Sequence, residues 1–291
     1  MSERTRLLRA RRARPHPALA AESAALPPGG TEGGDREGSL HRAIYLLPNA
    51  LTTCGLFSGF YAIIATIDGQ YQIAALCILI AHVFDGLDGR IARLTNTTSR
   101  FGIEYDSLSD VVAFGVAPGV LVYKWALEPW GPWGWLAASL YVVCGALRLA
   151  RFNVQAETGS KPRFVGLPIP AAADTIASTV LLYYFFGGEG ATHKHLILLV
   201  LIYALAALMI SNVSYNSFKG IRFDPRQPFW ILVALVVGMN YVIAEPQIVL
   251  FTAFLLYALS GPVTWVLGHR KRRRARAEAP VAKVGHLGTR H

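Results

Sequence analysis

Eight apolar stretches, at about 46–67, 71–93, 103–125, 133–152, 169–187, 194–212, 229–244 and 247–267, follow one another through the middle of this chain. Most approach the roughly 20 residues that a helix needs to cross the hydrocarbon core of a bilayer. Inside lipid every backbone N–H and C=O must find a partner within the protein, so spans of this length are helices. The pattern predicts an all-α, polytopic membrane bundle of about eight transmembrane helices. Composition agrees: 53% of the residues are hydrophobic and 16% charged, against roughly a quarter charged in soluble domains. Glu245 and Pro246 alone separate the last two stretches, which predicts a tight helical hairpin.

Lys and Arg set the expected orientation. In or beside the links after spans one, three, five and seven there are only Lys124 and Lys194, and the other 26 of the 28 basic residues fall at the two termini and in or beside the links after spans two, four and six. The positive-inside rule then places both termini and the links 94–102, 153–168 and 213–228 in the cytoplasm, where chemistry is expected. Trp125, Trp130, Trp133 and Trp135 cluster at the opposite face and are expected to be interfacial anchors. Residues 1–40, rich in Arg, Ala, Pro and Gly, are expected to be a disordered basic tail, 41–268 the membrane domain and 269–291 a second basic tail. A net charge of +10 would suit a nucleic-acid binder. Here the arginine-rich ends flank membrane spans, where such residues set topology and touch anionic headgroups, so no nucleic-acid partner is expected. Cys54, Cys77 and Cys144 lie in apolar runs without metal-ligand spacing. The start of the chain lacks the apolar core of a signal peptide.

Four aspartates stand at the cytoplasmic ends of spans two and three. Asp85 and Asp88 are three residues apart and Asp106 and Asp110 four apart, so each pair shares one helical face. A short link joins the two helices, so all four carboxylates can converge. One Asp within a membrane helix costs about 2.5–3.5 kcal/mol on insertion scales, and four like charges repel each other besides. Arg90 and Arg93 can offset part of that cost, but bound metal is the stronger candidate. Hard oxygen donors with no His or Cys ligand favour magnesium or manganese over zinc or copper. Cations held this way commonly handle a phosphate or pyrophosphate substrate. Gly86, Gly89 and Gly102 lie on the same turns and allow close packing or close approach of a ligand to the backbone.

Written out, the segment is Asp85-Gly-Leu-Asp88-Gly89-Arg-Ile-Ala92-Arg93, then Gly102, Asp106 and Asp110. It resembles the signature of the CDP-alcohol phosphatidyltransferase family at eight positions with every spacing intact. Leu47-Pro48-Asn49-Ala-Leu-Thr52, the run from Asp106 to Gly115, Leu147-Arg148-Leu-Ala-Arg151-Phe152-Asn153, Gly166-Leu-Pro168-Ile-Pro170 and Ser211 to Lys219 resemble the membrane-embedded bacterial phosphatidylserine synthase branch of that family. The resemblance runs from about residue 44 to 267.

The resemblance implies an enzyme of the bacterial cytoplasmic membrane that joins CDP-diacylglycerol to L-serine, giving phosphatidylserine and CMP. It implies Mg2+ or Mn2+ as cofactor, surrounding membrane lipids and a homodimer. Asp85, Asp88 and Asp106 hold the metals, with Asp110 at the edge of the metal site and acting as general base. Gly89, Ala92 and Gly102 line the cytidine site with Arg93 near it, and Asn49 and Thr52 touch the CDP part. The serine carboxylate calls for a cation, and Arg148 and Arg151 end span four on the cytoplasmic side. Arg163, Lys219 and Arg222 fit headgroup contact or topology better. Three alternatives compete. Another member of the family would use a glycerol phosphate, inositol or choline acceptor. A membrane prenyltransferase also uses Asp-rich motifs, but typically far apart in the chain. A divalent-cation transporter would spread carboxylates over several helices, whereas Asp174 is the only other Asp in a core span.

Overall fold

The computed structural model describes residues 32–95, 97–157, 166–192, 194–213, 215, 236 and 238–278. The chain divides into two units, Met1–Ala43 and Ile44–His291. Of the first, the description covers only the beginning of a helix. The second holds the bundle and the site.

The described residues are helical throughout, without strands. In chain order the helices are α1 (Glu32–Ile67), α2 (Tyr71–Thr95), α3 (Arg100–Trp130), α4 (Pro132–Glu157), α5 (Ile169–Phe185), α6 (Leu196–Ile210), α7 (238–244) and α8 (Pro246–Glu278). Five segments are long and apolar enough to cross a bilayer: Leu46–Ile67, Tyr71–Thr95, Arg100–Trp130, Pro132–Gln155 and Pro246–Val266. Among the described residues the fold is all-helical, with the apolar helices of a membrane protein. Of the other expected spans, α5 and α6 are apolar but only 17 and 15 residues long. They end where the backbone turns, at Gly187, with φ of 81°, and at Ser211, with φ of −58° and ψ of 152°. Half of the expected span 229–244 lies outside the described residues.

α1 begins at Glu32, inside the stretch 1–40, and α8 runs on to Glu278, inside 269–291. The Lys, Arg, Ala and Glu residues after position 268 are strong helix formers and carry α8 past the apolar span. Residues 1–31 and 279–291 lie outside the description.

α5 is the hub. It packs most extensively on α2 and α8, and α4 packs on α6. Its buried face is mainly small, with Ala171, Ala172, Ala173 and Ala177, and small side chains let helix backbones approach closely in a membrane. Around it are the fully buried Phe114, Tyr141 and Ile78. Of the four tryptophans expected at the interface, Trp133 and Trp135 are exposed, and Trp130 is half-buried beneath the Lys194 ammonium at 4.4 Å. Trp125 departs from the expectation: it is buried edge-on against Tyr183, because α3 turns that face toward α5.

α3 is not a uniform helix. Directly after Asp110 it widens into a π-helix over Val111–Val116, and a second π segment covers Tyr123–Leu127. Such widening is rare and recurs at functional sites. Gly59 on α1 makes room for it: a Cβ there would lie 2.6 Å from Cα of Ala113. At the far ends of α4 and α6 the chain is clasped. The Gly166 N–H donates to the Val213 carbonyl at 2.8 Å, and the Leu167 N–H to the Leu208 carbonyl at 3.0 Å. Gly166 has φ of 85°, and a side chain there would also meet the Met209 carbonyl, so only glycine fits.

Candidate active site

The short link between α2 and α3 is tied down locally. The Thr97 N–H donates to the Ala92 carbonyl at 3.1 Å, and the Ser99 hydroxyl caps α3 by accepting from the Gly102 N–H at 3.0 Å. The last turns of α2 therefore lie beside the first turns of α3. Carboxylate oxygens of Asp85, Asp88 and Asp106 come within 4.8 Å of one another. Asp110 lies outside that group but lines the same small cavity, of about 10 Å³, together with the other three.

α1 completes the arrangement. The Thr52 hydroxyl donates to Asp88 at 2.7 Å, and Ser109 donates to the Thr52 carbonyl at 3.3 Å. Thr53 and Tyr105 share a further hydrogen bond of 3.0 Å. Among the described residues no arginine forms an ion pair with any of the four aspartates. The partial compensation expected from Arg90 and Arg93 is thus not supplied by contact, and the Arg93 guanidinium stands beside Gly89 instead. Three carboxylates converging on so little space, with no cation beside them and no nitrogen or sulfur among the donors, fit a hard divalent ion.

A larger cavity, of about 150 Å³, adjoins this one and shares Thr52, Asp88 and Asp106 with it. Asn49, Gly89, Ala92, Arg93 and Gly102 line it as well, so all six positions expected to meet the CDP part face one space. At Gly102 a Cβ would lie 3.2 Å from the Asn49 side-chain oxygen and 3.1 Å from the Ser99 hydroxyl. That wall is therefore bare backbone. Thr97, Thr98 and Ser99 also line the cavity and were missed by sequence reasoning. The run of hydroxyl residues inside the signature was the available signal.

The two arginines of α4 differ. The Nε of Arg148 is buried with no hydrogen-bond partner, and the guanidinium lies within electrostatic range of Asp110 and of Tyr257 on α8. Arg151 is exposed, and its Nη2 donates to the Asn212 side chain at 2.8 Å. The neighbouring Asn153 donates to Ser107 at 2.9 Å and ties the end of α4 to α3. Arg163, Lys219 and Arg222 lie outside the described residues. One pair escaped the sequence reading altogether: His82 on α2 bonds Asp174 on α5. Its only local sign was that His82 precedes Asp85 by three residues.

A sequence model of the CDP-alcohol phosphatidyltransferase family matches residues 45–210. This chain belongs to that family. It is similar to the CDP-diacylglycerol–serine O-phosphatidyltransferase of Helicobacter pylori, 39% identical over 226 residues that cover 77% of this chain and 92% of that protein. The protein of the same name from Mycobacterium tuberculosis is 32% identical over 219 residues, 74% of this chain and 76% of the relative. The archaetidylserine synthase of Methanothermobacter thermautotrophicus is 40% identical over 176 residues, 60% of this chain and 71% of the relative. In this CDP-alcohol phosphatidyltransferase each of the eight signature positions lines one of the two adjoining cavities.

Proposed function

We propose that this chain transfers the phosphatidyl group of CDP-diacylglycerol to the hydroxyl of L-serine, giving phosphatidylserine and CMP. The observation that carries the proposal is the pairing of cavities: one walled by the glycines and Arg93, and beside it one lined by four carboxylates. The names of the relatives, each specifying a serine acceptor or a serine-containing product, support the choice of acceptor.

The residues divide the work. Gly89, Ala92 and Gly102 leave room for the nucleotide against bare backbone, with Asn49, Thr52 and Arg93 around it. Asp85, Asp88 and Asp106 hold Mg2+ or Mn2+, with Asp110 at the edge. When bound, the metal neutralises pyrophosphate charge and makes CMP a better leaving group. Thr52 holds Asp88 in place through its 2.7 Å hydrogen bond. Asp110 takes the proton of the serine hydroxyl as its oxygen bonds to the phosphorus that carries the diacylglycerol, and the bond from that phosphorus to CMP breaks. Arg148 receives the serine carboxylate, for which its planar fork is suited.

Eight spans with both termini and the site on the cytoplasmic side of a bacterial inner membrane are the topology we propose, on the strength of the basic-residue distribution. In it 41–268 is the membrane domain between two tails. The assembly we propose is a homodimer, as the family resemblance implies. The function is tested by CMP release from CDP-diacylglycerol in detergent with L-serine, glycerol 3-phosphate, inositol or choline, or with no alcohol. Release with L-serine alone is expected. Release only with another alcohol would overturn the acceptor, and release with none would overturn the transferase.

The acceptor site gives a sharper expectation. Losing a charge-assisted hydrogen bond costs about 1.5–3 kcal/mol, so Arg148→Ala should raise the KM for serine roughly 10- to 100-fold. The KM for CDP-diacylglycerol should hardly move. Arg151→Ala should have a smaller effect on serine, because that side chain already binds Asn212. Equal changes for both substrates in Arg148→Ala would remove it from the acceptor site.

A further inference from the structure

A half-exposed histidine bonded to a buried aspartate stands one helical turn behind the carboxylate cluster. Asp174, near the start of α5, is fully buried. One of its oxygens bonds Nδ1 of His82 on α2, and the other, Oδ1, is buried without a hydrogen-bond partner. A carboxylate in such a place is costly, and apolar side chains of similar volume often pack there at least as stably. Packing alone therefore gives no reason for the pair, but its position does.

His82, Asp85 and Asp88 follow one another at intervals of three residues and share a face of α2. His82 interacts electrostatically with Asp85. Its ring also stands edge-on to Phe114 of α3, centroids 5.9 Å apart, and Phe114 lines the small acidic cavity. The buried apolar side chains of α2 are Ala74, Ala75, Ile78 and Ala81. Such small residues allow close approach but do little to lock a helix against rotation about its axis. A directional bond between side chains on two helices does lock it. Asp88 has Thr52 to hold it, whereas Asp85 makes no side-chain hydrogen bond among the described residues. The aim of Asp85 thus depends on the rotation of α2.

We propose that Asp174 is a positioning residue for the carboxylate cluster: by holding His82 it fixes the rotation of α2 and so aims Asp85 into the cavity. The proposal rests on the metal-holding role given to Asp85, Asp88 and Asp106.

The test is Mn2+ binding to the purified full-length protein in detergent, read as free Mn2+ by electron paramagnetic resonance, with melting temperatures recorded alongside. The double variant Asp174→Leu, His82→Leu keeps the core filled and removes the bond. Its Mn2+ dissociation constant is expected to rise about 10-fold or more, the usual range for losing an outer-shell partner of a metal site. In His82→Asn the amide N–H can take the place of Nδ1–H and keep the bond to Asp174, so binding within about twofold of wild type is expected. A double variant that binds Mn2+ as tightly as wild type would overturn the proposal, as would a His82→Asn variant that loses as much as the double. If the double variant does not fold, Asp174→Leu alone takes its place, since it removes the acceptor that holds His82, and an unchanged dissociation constant there overturns the proposal. Wild-type protein that binds no Mn2+ would instead overturn the metal site itself and this inference with it.

Discussion

Asp110→Asn is expected to lower turnover by about 10²–10⁴-fold, the usual cost of removing a general base, while metal-dependent binding of the CDP-lipid stays near normal. The expectation comes from where the carboxylate stands. Asp85, Asp88 and Asp106 bring oxygens within 4.8 Å of one another, and Asp110 is not part of that group. It lies one turn further along α3, lines the same small cavity, and is within electrostatic range of Arg148. An acid so placed faces the proposed metal site on one side and the proposed acceptor on the other. The measurement is equilibrium binding of a CDP-lipid to the purified variant with and without Mn2+, set beside its turnover. If binding falls in step with rate, Asp110 is chiefly a metal ligand. If turnover survives, it has no part in catalysis.

Asp85→Asn and Asp106→Asn should behave differently, losing metal binding and turnover together. Removing the metal withdraws several kcal/mol of charge stabilisation, so activity should fall by about 10³-fold or more. Chelation of the wild-type enzyme should have the same effect, reversed by Mn2+ or Mg2+ and not by addition of more substrate. The physical reason is the uncompensated charge: three carboxylates converge, and among the described residues no arginine pairs with them. An Asn at either position keeps the shape but removes one charge and one anionic oxygen from a small ligand set. Full activity in the presence of chelator would rule out the metal site, and unchanged Mn2+ affinity in Asp106→Asn would remove that residue from it.

Much of the site was legible in the chain because helical periodicity is local. The intervals of three and four residues put Asp85 with Asp88 and Asp106 with Asp110 on shared faces, and a link of a few residues made the two helices neighbours. No tertiary information was needed for that. The length of the apolar runs likewise determined an all-helical membrane protein, since lipid leaves the backbone few other ways to satisfy its polar groups. The signature glycines could be assigned to a ligand wall by resemblance, and the adjoining cavities are consistent with it.

Other properties depend on which distant element covers a given face, and periodicity carries no such information. Arg148 and Arg151 are three residues apart on one helix and equally basic, yet one has a buried, unpartnered Nε and the other is exposed on Asn212. Tyr257 on α8, within electrostatic range of Arg148, and Asn212, bonded to Arg151, distinguish them through contacts far away in sequence. Trp125 had the composition of an interfacial anchor, but the packing of α3 beside α5 buries it. The lengths of α5 and α6 were overestimated because hydropathy measures how apolar a run is, not where its backbone turns. His82 and Asp174 lie 92 residues apart. By itself the sequence determined the bundle and the shared faces of the carboxylates; only the packing of α5 against α2 brought His82 and Asp174 together behind them, because a bond between side chains on two helices exists only once both helices are in place.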